Sequence, residues 1–114
     1  MGRRSEKPDA ADRFLKSLGL AARAGSVRVG MEAVCQCIAA GRATAVVIAG
    51  DAPRSVVEKL NGRSRPGGVV LDGDALGHAI GRERVVALAI TDEFLGRRVI
   101  ELAEAVERLA DRRC

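Results

Sequence analysis

The sequence predicts an α/β fold, a three-layer α/β/α sandwich on a mixed, mostly parallel sheet of about four strands. Three observations carry that expectation. Ala45–Ala49 and Val85–Ile90 are apolar at every position, as strands covered on both faces are. Stretches with helical spacing lie before, between and after them, and buried strands alternating with helices imply crossover connections. Finally, 114 residues suit one domain with room for a core that needs no disulfide or metal.

The elements follow in order. Residues 1–9 read as a flexible charged tail and residues 10–114 as a single domain. A first helix begins near Asp9, a capping residue, and carries Phe14, Leu15, Leu18, Ala21 and Ala22 on one stripe. Gly25 is placed to stop it in a left-handed turn. Ser26–Val29 is a short extended piece leading to Gly30. Met31–Ala40 is a second helix with Met31, Val34 and Ile38 inward, ended by Gly41. After the strand Ala45–Ala49, Asp51-Ala52-Pro53 opens a third helix with Val56, Val57 and Leu60 inward. Asn61–Gly68 is loop and Val69–Leu71 a short strand. Asp72–Gly81 forms a fourth helix around Leu76 and Ile80. Beyond Val85–Ile90, Thr91-Asp92 caps a last helix to about Arg112, with Phe94, Val99, Leu102, Val106 and Leu109 toward the core.

Composition excludes several classes of function. The chain is 47% apolar and 30% charged, as ordered domains are. It has no apolar run near membrane-spanning length and no signal-like start, so a cytoplasmic protein without membrane contact is expected. Trp and Tyr are absent and Phe14 and Phe94 are the only rings, which excludes sheets or barrels that stack bases on aromatic platforms. Cys35 and Cys37 project to nearly opposite sides of a helix, so with Cys114 they read as reduced thiols rather than a disulfide or metal pair. No cofactor or metal is expected.

Enzyme signatures are missing. There is no G-x-x-x-x-G-K-[ST] phosphate loop. Gly73, Gly77 and Gly81 do not form a dinucleotide fingerprint, and their spacing suits close helix packing. His78, the single histidine, has no nucleophile constellation around it. Asp72 and Asp74 read as capping groups. The expectation is a non-enzyme.

Charge is uneven. Residues 10–65 carry nine basic and four acidic groups, while residues 66–114 carry seven and nine. Within a net charge of +4, the first half is therefore the half suited to a polyanion. Gly30 lets a partner approach the start of the second helix, whose first amides point outward with the positive end of the helix dipole. Glu32 and Gln36 lie one turn apart beside that opening, and both side chains can address base edges. Arg23 and Arg28 flank the turn at Gly25 and could serve phosphates. An ordinary solvated helix face accounts for the same residues, and spacing does not decide between them. The segments Asp51-Ala52 and Gly81–Val85 are two further loops at strand ends, where ligands of open α/β sheets bind.

Several stretches together carry a resemblance. They are R-A-G at Arg23–Gly25, Gly30 with Val34, I-A-A-G-R-A at Ile38–Ala43 and V-V-I-A-G-D-A at Val46–Ala52. L-G-H-A-I-G at Leu76–Gly81 and the run Arg84–Asp92 complete the set. In this order they resemble the ribosomal "L-seven-Ae/L-thirty-e" kink-turn RNA-binding family, and most closely its bacterial YlxQ-like branch. The likeness spans about Phe14 to Ile100.

The resemblance implies an α/β/α sandwich that binds structured RNA, the kink-turn bent at tandem G·A pairs, with ribosomal RNA among the targets. Members work as ribosomal or ribonucleoprotein accessory proteins. Carried over by position, Gly30 opens the recognition helix, and Met31, Glu32, Ala33 and Gln36 face the RNA. Arg82, Glu83, Arg84 and Val85 form the loop that packs on the bent strand, with Asp51 and Ala52 close to the RNA. The chain departs from the family where Asn, Glu and Lys are usual, having Glu32, Ala33 and Gln36 instead. Its Gly81–Val85 loop is also about one residue short. These departures imply weaker or differently selective binding. Two other readings share the features: a protein-interaction module that has lost its RNA contacts, and a substrate-recognition partner of an RNA-modifying enzyme. No DNA partner is expected, and nothing in the sequence calls for more than a monomer.

Overall fold

A computed structural model describes residues 10–61 and 71–113 of the chain. The expected tail, most of the Asn61–Gly68 loop, Val69, Val70 and Cys114 lie outside the described residues. The elements are α1 (Ala10–Arg23), β1 (Val27–Val29), α2 (Met31–Ala39), β2 (Ala45–Ile48), α3 (Arg54–Asn61), α4 (Gly73–Ala79), β3 (Ala87–Ile90) and α5 (Glu93–Arg113).

The sheet corrects one expectation. Among the described residues it has three strands in the order β1-β3-β2, and both pairings are antiparallel rather than mostly parallel. Val27 lies opposite Ile90 on one side of β3, and Ala45 lies opposite the same residue on the other. The physical reason is the site of insertion. The β1-α2-β2 crossover does leave β1 and β2 pointing the same way, as such units do. However, β3 enters between them after two intervening helices and runs the opposite way. Of the expected fourth strand only Leu71 is described, outside any strand, with its carbonyl accepting from Gly50 N–H at 2.6 Å.

Strand alternation sorts the core onto the two faces of this sheet. Ala45, Val47, Ala49, Leu88 and Ile90 face α1, α4 and α5, meeting Phe14, Leu18, Leu76, Val99 and Ala103. Val46, Ile48, Ala87 and Ala89 face α2 and α3, meeting Val34, Cys37, Val56 and Leu60. Helices thus cover both faces in three layers. Phe94 is a second correction. Expected in the core, it is 74% exposed, because Gly96 rather than Phe94 is the α5 residue that meets Thr44, where a Cβ would collide.

Three helices stop in the same way. Gly25, Gly41 and Gly81 have φ between +73° and +81°, and the next residue donates back into the helix. These bonds are Ser26 to Ala21 (2.9 Å), Arg42 to Cys37 (3.0 Å) and Arg82 to Gly77 (2.7 Å). A left-handed glycine allows this double closure, which satisfies the last carbonyls. α5 starts on Asp92, whose side chain accepts from Leu95 N–H at 2.8 Å.

Candidate nucleic-acid interface

Strand direction brings three of the expected segments to one rim. β1 and β2 both end where β3 begins, so Gly30, the Ala49–Ala52 turn and the Arg82–Val86 loop converge there. Gly30 N–H donates to Ala87 O at 3.1 Å, and Ala49 N–H donates to Val86 O at 2.9 Å, on opposite sides of the entering strand.

At the centre of the rim stands the start of α2. Gly30 has φ 98° and ψ 155°, in the region L side chains rarely adopt, and no side chain caps the helix behind it. A Cβ added at Gly30 would meet nothing within 4 Å, so the space above the first amides is open. Val34 N–H, bonded to Gly30 O at 2.9 Å, is the first amide closed by the helix itself. The amides of Met31, Glu32 and Ala33 precede it, at the end where the helix dipole favours an anion. Glu32 and Gln36 are both exposed beside them, Ala33 is half-buried, and Met31 packs partly on the core.

The second and third segments are clasped together. Asp51 Oδ1 accepts from Gly73 N–H at 2.9 Å, while its Oδ2 lies 3.2 Å from the Arg84 guanidinium. Arg84 also reaches Asp74 at 3.6 Å. The Gly73 amide, and then the Arg84 charge, hold the Asp51 carboxyl below the usual carboxylate range. Val85 N–H donates to Gly73 O at 3.0 Å. The loop itself lies against the glycine face of α4, where a Cβ on Gly77 would come within 2.8 Å of the Arg84 and Glu83 backbone. Of the three glycines expected to permit close packing, Gly73 and Gly77 do so, against a loop rather than a helix, and Gly81 has nothing within 4 Å.

One expected contact residue therefore changes role. Val85 is 2% exposed and belongs to the core, so its side chain anchors the loop instead of meeting a ligand. Asp51 and Arg84 pair with each other, shape the rim and stay exposed on it. Arg82 and Glu83 remain exposed on it, and Ala52 is half-buried at its base.

Arg28 and Arg23 lie elsewhere. Arg28 turns back toward the opposite end of β1, its guanidinium near Gly25 O (3.3 Å) and Val27 O (3.2 Å). There it shares a shallow groove of about 290 Å³ with Ala33, Gln36, Arg42 and Thr91. Arg42 was not singled out by its sequence. The available signal was its position immediately after the helix-stopping Gly41, which turns a side chain back beside the last turn of α2. Arg23 lines a different groove, between α1 and α4.

Among the described residues no cluster of three or more His, Cys, Asp or Glu side chains is placed to hold a metal, and Cys35 and Cys37 are free thiols. No described helix is long and apolar enough to cross a membrane.

Residues 12–97 match the Ribosomal protein L7Ae/L30e/S12e/Gadd45 family. Among solved structures, the chain is similar to a protein of unknown function from Bacillus halodurans, with 31% identity and a TM-score of 0.76 over 81% of this chain and 97% of that one. It is also similar in fold to the Giardia lamblia 15.5kD RNA binding protein, with 24% identity and a TM-score of 0.68 over 90% and 92% of the two chains. No curated protein matches it.

Proposed function

The chain belongs to the Ribosomal protein L7Ae/L30e/S12e/Gadd45 family, and from that membership we propose that it binds structured RNA of the kink-turn type. One observation carries the reading: an uncapped helix start opened by Gly30 and a clasped neighbouring loop sit on a single rim. The open α2 amides receive backbone or base-edge acceptors of a sharply bent strand, with Glu32 and Gln36 beside them. Arg82 on one side and Arg28 with Arg42 on the other supply positive charge. Recognition is by shape: the protein grips the bent form and draws the RNA population toward it, without catalysis. Its place is that of a ribosome-associated or ribonucleoprotein accessory protein of a bacterial YlxQ-like branch.

A second reading has one observation in its favour. The rim carries Glu32, Asp51, Asp74 and Glu83 against Arg82 and Arg84, an acidic balance that suits a protein partner better than phosphates. Gel-shift titration separates the two, using a kink-turn duplex, a control with its G·A pairs disrupted, and two salt concentrations. Preference for the intact kink-turn is expected. Equal, strongly salt-dependent binding of both duplexes would mean generic attraction, and no binding would leave the interaction module.

A further inference from the structure

A second concave surface lies between α1 and α4. At its base the helices touch so closely that a Cβ on Gly19 would come within 3.2 Å of the Ala79 carbonyl oxygen. Above that contact is a groove of about 550 Å³, within the size range of ligand and side-chain pockets. Its α1 wall runs from Asp12 to Arg23 at helical spacing, one face used from the first turn to the last. The opposite face of α1 is the one that buries Phe14, Leu18 and Ala21.

The lining has two chemistries. Gly19, Ala75 and Ala79 make a small, apolar floor, and Leu15 and Leu20 rise beside it. Leu20 is 55% exposed, one of two large apolar side chains so exposed among the described residues. Lys16, Arg23 and His78 also line the groove. The one lining carboxylate, Asp12, is already engaged within the protein. The groove is thus apolar along its floor and basic along its margins.

We propose that this groove docks a short amphipathic helix of a protein partner, with an apolar stripe flanked by Asp and Glu. Apolar anchors at every third or fourth position would fill the space over Gly19, Ala75 and Ala79, as helices do in grooves. Acidic flanks would meet Lys16 and Arg23, which favours register and partner choice. RNA fits the surface less well, because the floor offers neither an aromatic ring for stacking nor a polar edge for a base. α4 separates this groove from the rim. Gly73 and Gly77 face the Arg82–Val85 loop, whereas Ala75, His78 and Ala79 face α1. The protein can therefore hold a partner and an RNA at once, on two sides of one short helix.

The test uses the full chain and a synthetic peptide of about 14 residues, about 21 Å long as a helix, with Leu at i, i+3, i+4 and i+7 and Glu on both flanks. Controls are a scrambled peptide and one with Lys in place of Glu. Amide chemical-shift mapping is expected to show changes concentrated on Asp12–Arg23 and Ala75–Ala79 with the first peptide alone. Leu20→Asp and Lys16→Glu should each weaken it roughly tenfold, with unchanged circular dichroism and unchanged RNA gel shifts. Equal binding of the scrambled peptide, undiminished binding by Leu20→Asp, or no binding would overturn the proposal. Displacement of the peptide from these residues by a kink-turn duplex would also overturn it, by assigning the groove to RNA.

Discussion

The two faces of the sheet are filled in opposite ways. Toward α1, α4 and α5, β3 presents Leu88 and Ile90, which meet Phe14, Leu18, Leu76 and Val99, all at 0% exposure. Toward α2 and α3 the same strand presents Ala87 and Ala89, and α2 fully buries only Val34 and Cys37. The first face carries the bulk of the large side chains. The second is thin, and the helix it supports keeps its open start and most of its outer surface free. Stability and the proposed RNA recognition are thus divided between the faces, and the seam between them is the rim where Asp51 and Arg84 meet.

The sharpest way to break this division is a large truncation on the thick face. Phe14→Ala should cost about 3–5 kcal/mol in denaturant unfolding, the range for burying a cavity in place of a phenyl ring. The fraction still folded should bind RNA as before; selective loss of binding would mean that the faces are not separate. Gly77→Ala tests the seam. Its methyl would press on the Glu83–Arg84 backbone, so a loss of about 2–3 kcal/mol is expected together with weaker kink-turn binding, because the loop must move.

Gly30→Ala acts on the thin face without a clash. A stability loss of about 1–3 kcal/mol is expected from the positive-φ backbone alone. RNA affinity should fall further than this predicts if the opening is used, and in proportion to it if the glycine is only structural.

The clasp should show in acid. Because Asp51 has a lowered folded pKa, the unfolded chain binds the proton first as pH falls. The clasp's contribution is therefore complete above the ordinary aspartate pKa of about 3.9, and declines as pH drops through the lower folded value. Asp51→Asn should flatten that part of the stability–pH curve, read by thermal melts between roughly pH 2 and 5; an unchanged slope would show that the carboxylate's two contacts add nothing. The smallest stability effect is expected for Gln36→Glu, within about 0.5 kcal/mol, since the side chain is exposed. Its RNA affinity should nonetheless fall about threefold to tenfold at low salt, because the new carboxylate repels phosphate and offsets the charge of Arg28 and Arg42 beside it. Unchanged affinity would remove this part of α2 from the interface.

Much of the molecule was legible before any coordinates. Helix stops at Gly25 and Gly41, the cap at Asp92 and the strands expected at Ala45–Ala49 and Val85–Ile90 are local events. Each is set by one residue's backbone freedom or by a run of β-branched and apolar side chains. The two-sided burial of those strands likewise followed from unbroken apolar runs. Phe94 was misplaced because helical spacing alone does not say which of several apolar residues near a helix start meets the sheet. That choice fell to Gly96, through the close approach of Thr44.

Local chemistry in the chain determined the elements, their ends, the layers and the family pattern. Tertiary structure decided the antiparallel insertion of β3 between β1 and β2, because strand order depends on long-range pairing that no nearby residues encode. The same insertion brought Gly30, Asp51 and Arg84 to one edge and turned Val85 into an anchor, while Arg23 lines the α1–α4 groove with Lys16. Contacts between residues far apart in sequence are chosen by packing the whole sheet at once, which is why nearby positions such as Arg23 and Arg28 line different grooves.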